Sequence, residues 1–204
     1  MLLQRLKEYQ DRHPETTGDT SGVPPEYKAQ AIPWVIHLDL TGEVAHFIRT
    51  TGQISRSGRD AGRQFAAPFL RRSGTNVKPQ LLADKAEFVL GLAAEDAPQR
   101  AARRHAEFVA LVEACSAETG DSRVRAAFNF LQALPNARLQ LPPDLMPSDF
   151  VTFQVGEERP IDVQPVREFW ANTAPRLRER AVPQLTSELV LSWRNATAET
   201  AIAT

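Results

Sequence analysis

Six basic residues, Arg56, Arg59, Arg63, Arg71, Arg72 and Lys78, stand against a single acid, Asp60, between positions 56 and 78, a local charge of +5. A guanidinium group makes two parallel hydrogen bonds to phosphate oxygens, and the glycines and serines among these arginines let an anion approach the backbone closely. The chemistry this pattern suggests is the holding of a polyanion. Between the basic flanks lie Ser73, Gly74, Thr75 and Asn76. Short polar side chains of this kind can enter a nucleic-acid groove and hydrogen-bond base edges, while Arg71, Arg72 and Lys78 hold the backbone and Pro79 stiffens the exit. The same pattern also suits a solvated loop whose charges pair with acids elsewhere.

Catalytic chemistry finds few markers. His13, His37, His46 and His105 are scattered, with no HExxH, no CxxC and no zinc-like cluster, so neither a metal nor a cofactor is expected. Cys115 falls on the apolar face of a predicted helix, where a small buried thiol is the simpler reading than a nucleophile. No P-loop, GxGxxG or GxSxG is present. Asp39 and Asp84 are isolated acids. The chain is therefore read as a non-enzyme, with a metal-dependent nuclease built on Asp39 or Asp84 as the outlying alternative.

The elements that must position the basic segment can be read in turn. The chain has 204 residues, 42% hydrophobic and 24% charged, with a formal net charge of -1. That is enough to bury one good core, and the near-neutral sum puts any nucleic-acid role in the arrangement of charge rather than its total. One cysteine excludes an internal disulfide and suits the cytoplasm. No apolar run approaches the roughly 20 residues of a membrane span. Leu2, Leu3, Leu6 and Tyr9 predict a helix over 1–12 that ends before Pro14, and 15–31 reads as an exposed polar connection. In IPWVIHLDLTGEVAHFIRT, Trp34, Ile36, Leu38 and Leu40 alternate with Val35, His37 and Asp39. Thr41-Gly42 turns the chain into a second strand carrying Val44, His46 and Ile48, so a β-hairpin is expected. A short strand is expected over 65–70. Ala101, Phe108, Leu111, Val112 and Cys115 predict an amphipathic helix over 97–119; Asp121 or Ser122 caps the next, which offers Val124, Phe128 and Leu131 to the core before Pro135. DFVTFQVGEE reads as a half-buried strand, followed by a helical segment punctuated by prolines. Trp34 and Trp170 are candidate base-stacking platforms but fit the core better. The fold class is α+β, a small antiparallel or mixed sheet with packed helices.

Several of these stretches, in the same order, resemble a known family: MLLQRLKEYQDR, IPWVIHLDLTGEV, GTNVKPQLLADKAEFVLGL, ARRHAEFVALVEA and VREFWAN. They are similar to the N-terminal region of the large subunit of the type I-C CRISPR surveillance complex, Cascade. The most specific are Lys78-Pro79, the FVLG of 88–91, and the helix with Arg103, Arg104, His105 and Phe108. The resemblance implies an α+β DNA-recognition domain over 1–170, with its basic loop at 50–79, and a helical extension or truncated tail over 171–204. It also implies an antiviral, non-catalytic subunit at the guide RNA's 5′-handle end, which recognises the short motif beside the target (the PAM) and helps open the duplex. This division of labour is general in RNA-guided recognition, where protein reads the PAM and base pairing reads the rest.

On this basis Gly74, Thr75, Asn76 and Lys78 are expected to contact the PAM, and Arg56, Arg59, Arg63, Arg71 and Arg72 the phosphate backbone. The implied partners are double-stranded target DNA, guide RNA and the other Cascade subunits. Two departures stand out. The family's loop commonly runs from Lys-Pro into Asn-Phe, where Gln80-Leu81 stand here. The family's longer members also continue through a Cys and Thr-Gly-Glu motif into a helical bundle, whereas LSWRNATAETAIAT contains neither, which leaves recruitment of the helicase-nuclease open. The competing reading is an assembly adaptor that binds other Cascade subunits without touching DNA.

Overall fold

The computed structural model describes residues 23–179 apart from 25, 53, 56–57, 72–77, 94–96 and 137–139. The helix expected over 1–12 lies outside these residues. Six strands and four helices are described: β1 (Tyr27–Ile32), β2 (Trp34–Leu38), β3 (Ala45–Arg49), β4 (Arg63–Pro68), β5 (Ala83–Lys85), α1 (Ala86–Val89), α2 (Pro98–Thr119), α3 (Ser122–Ala133), β6 (Phe150–Val155) and α4 (Gln164–Glu179). The strands form a four-stranded sheet in the order β3-β2-β6-β5 and a separate two-stranded ribbon, β1-β4. The fold is α+β.

The hairpin forms as its alternation requires, β2 pairing antiparallel with β3 from Trp34↔Arg49 to Leu38↔Ala45. Its turn is held by Asp39, whose Oδ1 accepts from the Thr41 hydroxyl at 2.9 Å and the Gly42 amide at 2.8 Å. These bonds, the Thr41 hydroxyl foremost, hold the Asp39 carboxyl below the usual carboxylate range. Gly42 adopts φ +80°, and a Cβ there would lie 2.2 Å from the Ala126 carbonyl oxygen, so the turn packs directly on α3. The second strand presents Val44, His46 and Ile48 to the outside, and Leu40 is exposed beyond the end of β2.

Two expectations are corrected. The stretch 15–31 is not a loop to its end: Tyr27–Ile32 is β1, paired antiparallel with β4, and Ile32 is fully buried. Its alanines and the polar Lys28 and Gln30 hide the pattern, which the partner strand supplies. The Tyr27 hydroxyl donates to the Ile161 carbonyl at 3.0 Å, and burial pushes its ionisation well above the usual phenol range. Second, β6 is buried more deeply than its alternation suggests: Val151, Phe153 and Val155 are buried as expected, Thr152 on the opposite face is buried as well, and Phe150 and Gln154 are partly buried. It is an interior strand, parallel to β2 on one side and antiparallel to β5 on the other, and the ribbon approaches it as well.

The helices follow their periodicity. In α2 the buried residues include Ala101, Phe108, Val112 and Cys115. Asp121 caps α3, accepting from the amides of Arg123 and Val124. Phe130 of α3 meets Phe153 edge-on at 6.1 Å, while Phe128 is only partly buried. α4 runs through position 170 to Glu179 with Trp170 and Ala174 fully buried, so the helix crosses the expected domain boundary. Each large side chain buried this way contributes about 2 kcal/mol.

Candidate nucleic-acid interface

The basic segment is shaped by three short polar side chains, Thr50, Ser55 and Asp60. The Thr50 hydroxyl donates to the Ile32 carbonyl and accepts from the Arg63 amide at 3.0 Å, tying the beginning of the segment to its exit into β4. Asp60 Oδ1 accepts from the amides of Gly52 at 3.1 Å and Gly62 at 2.8 Å. The tip closes through Ser55, whose amide donates to the Arg59 carbonyl at 2.7 Å and whose hydroxyl accepts from the Arg59 amide at 3.1 Å. Gly62 sits at φ +85°, with a Cβ position 2.4 Å from Pro33 Cα, so no other residue fits this crossing without displacing backbone.

This folding sends the arginines in different directions. Arg59 points back into the protein and grips Asp149 with both terminal nitrogens, at 2.9 and 2.8 Å, and also donates to the Asp144 carbonyl at 2.6 Å. Asp149 is largely buried and further accepts from Trp34 Nε1 at 3.2 Å. Arg59 is thus engaged in holding the loop down. Arg63 is exposed instead, its guanidinium 5.9 Å from the Phe65 ring centre. Arg159, from the turn after β6, lies over the same ring at 4.7 Å while its Nε donates to Asp162 at 2.6 Å. Arg63, Arg159, Phe65 and Gln154 line an open cleft of about 510 Å³ whose floor includes Val35 and Ile48 of the hairpin. Arg49 borders it, stacked 4.6 Å over Trp34 and hydrogen-bonded to the Asp60 carbonyl at 3.0 Å.

Among the other expected site residues, Arg71 is exposed, whereas Lys78 is buried at 7% exposure. Gly74, Thr75, Asn76, Arg56 and Arg72 lie outside the described residues. The buried Lys78 begins a run, through Gln80, Leu81 and Leu82 to Asp84, that anchors the exit of the 72–77 segment in the core. Asp84 accepts from the Gln80 amide at 2.8 Å and the Lys85 amide at 2.7 Å, and Thr152 Oγ1 of β6 donates to the Leu82 carbonyl at 3.0 Å. Leu82 is held at φ +56°, a backbone state that costs a non-glycine residue about 1–2 kcal/mol. Sequence reasoning located Arg63 but missed Arg159, which follows Glu157 and Glu158 and reads as part of an acidic turn. It also missed Arg49, one residue outside the segment.

The geometry gives an open cleft lined by Arg49, Arg63, Arg159 and one acid, Glu157, with the Phe65 ring among its walls. A family model described as CRISPR-associated protein (Cas_Csd1) matches residues 6–187. The chain belongs to this family. The match spans every described residue, both sheets and all four helices, so the cleft and the anchored loop exit are built entirely within the family domain. The chain is accordingly a CRISPR-associated subunit of the type I-C Cascade kind. No curated protein matches it.

Cys115, Asp39 and Asp84, singled out in the sequence, each have defined surroundings. Burial pushes the Cys115 thiol up to about 12, and the thiol lies among core side chains of α2. Asp39 is committed to its turn and Asp84 to two backbone amides. Among the described residues no three His, Cys, Asp or Glu side chains come together as a metal-binding group, and no helix is long and apolar enough to cross a membrane.

Proposed function

We propose that the chain is the PAM-recognising, double-stranded-DNA-binding part of a type I-C Cascade large subunit, acting without catalysis at the 5′-handle end of the guide RNA in the cytoplasm. The observation that carries this reading is the pair of guanidiniums, Arg63 and Arg159, over the Phe65 ring in a cleft bordered by the basic segment. Such a surface suits a sugar-phosphate backbone, since guanidiniums take phosphate oxygens and the aromatic face tolerates any base or sugar. In this reading Arg63, Arg159 and Arg71 track the backbone, and Gly74, Thr75 and Asn76 reach the base edges. Lys78, buried at the loop exit, fixes the loop rather than reading a base.

The test uses the chain assembled with the other Cascade subunits and guide RNA, and duplexes that differ only in the PAM, over a salt series. Binding that prefers one PAM is expected, with the preference lost when Thr75 and Asn76 are both changed to alanine. Replacing Arg63 and Arg159 together is expected to weaken all duplexes alike and to lower the log-log salt slope by about 1.8, roughly 0.9 for each phosphate contact removed. Indifference to the PAM with unchanged assembly would shift the assignment to the adaptor. The exposed apolar side chains Leu40 and Val44 at the hairpin end favour that reading and would then be the surface to test.

A further inference from the structure

Positions 37 and 46 carry histidines whose separation in sequence matches no metal-binding motif. Strand pairing changes their relation, because His37 on β2 and His46 on β3 stand directly opposite each other in the antiparallel register. Their rings lie side by side on the outer face of the sheet, with centres 4.7 Å apart and planes inclined at 47°. His46 is exposed and His37 half-buried.

The tautomer of His37 follows from its partner. His37 Nε2 lies 2.9 Å from the Gly156 carbonyl oxygen. A carbonyl only accepts, so Nε2 carries the proton, and in the neutral ring Nδ1 is left with a lone pair. The Gly156 carbonyl is itself fixed, since it also accepts from Gln154 Nε2 at 3.0 Å and the Gly156 amide donates to the Leu38 carbonyl at 3.1 Å. An imidazole that donates one N–H to a backbone carbonyl while its other nitrogen stays free is the arrangement that orients histidine ligands at metal sites. Two imidazoles bound to one ion at about 2.0–2.1 Å place their ring centres on the order of 5 Å apart, close to the spacing of this pair.

We propose that His37 and His46 form a two-imidazole site for a late first-row divalent cation of the zinc type, a class that imidazole nitrogen suits. The ion would join the edge strand β3 to the interior of the sheet and keep its remaining coordination positions for water or for a donor atom of a bound molecule. The pair shares its sheet face with Val35 and Ile48 of the cleft floor but uses none of the cleft arginines, so zinc binding is read separately from DNA recognition.

The experiment is a calorimetric titration of the untagged, chelator-treated full chain with zinc ion alone, paired with electron paramagnetic resonance of the chain loaded with copper(II). One equivalent of zinc is expected to bind. His37→Ala and His46→Gln should each weaken it at least tenfold, and His13→Ala should leave it unchanged. The copper spectrum should show two equatorial nitrogens, falling to one in His46→Gln. His46 is exposed, so unchanged circular dichroism of His46→Gln would confirm that a loss of binding is a loss of a ligand. No zinc binding, or zinc binding that neither substitution alters, would overturn the proposal.

Discussion

Arg59, in the loop, and Arg63, at the start of β4, lie four residues apart and meet opposite environments. Arg59 is bound through both terminal nitrogens to Asp149, with its side chain only a third exposed, whereas Arg63 makes no ion pair among the described residues and rests over Phe65 beside Arg159. The difference shows that a run of arginines is not one functional unit. Some members hold the loop in shape, and others face solvent.

The comparison can be broken most severely at Gly62, which sets the direction of the chain between the two arginines. Gly62→Ala places a Cβ 2.5 Å from the Ile32 carbonyl oxygen at a positive φ. It is expected to cost about 3 kcal/mol, read as a lower midpoint in chemical denaturation, and to displace Arg63 from the cleft. Arg59→Ala comes next. It leaves the largely buried Asp149 carboxylate without its cation, and about 2 kcal/mol of stability should be lost, less than for a fully buried pair because the guanidinium is partly solvated. A stability unchanged within error would show that the loop does not depend on this anchor.

A second arginine-aspartate pair sharpens the structural half of the comparison. Arg123 and the helix-cap amides, the Arg123 side chain foremost, hold the Asp121 carboxyl below the usual carboxylate range. Its contribution to stability is therefore complete above the unfolded-state value of about 3.9 and disappears as pH falls through the lower folded-state value. In an acid titration followed by circular dichroism, Asp121→Ala should lose about 1 kcal/mol at neutral pH. The gap between variant and parent should close only at pH values below about 4. Arg63→Ala should have the smallest structural effect, within about 0.5 kcal/mol, while lowering the salt slope of DNA binding by about 0.9. If Arg63→Ala instead unfolds the protein as Arg59→Ala does, the distinction between anchoring and presenting arginines fails.

How much could be read from the chain depended on the distance over which each feature is decided. The periodicity of Ala101, Phe108, Val112 and Cys115, the Asp121 cap and the hairpin of β2 and β3 are local, and all three appear where expected. The strand at Tyr27–Ile32 was missed because its partner lies more than 30 residues later. The depth of β6 was missed because the strand beside it, β2, is more than 100 residues away.

The candidate site divides along the same line. Composition marked the segment carrying Arg59 and Arg63 as cationic, and ordered motifs pointed to the family that the match over residues 6–187 bears out. Only the folded chain decided that Arg59 is held by Asp149, that Lys78 is buried, that Arg159 joins Arg63 over one ring, and that His37 faces His46. Helical period, caps and tight turns are set by neighbouring residues, so the sequence states them directly. Which charge meets which partner is set by strand pairing and burial across the whole chain, and no residue carries that information in its own neighbourhood.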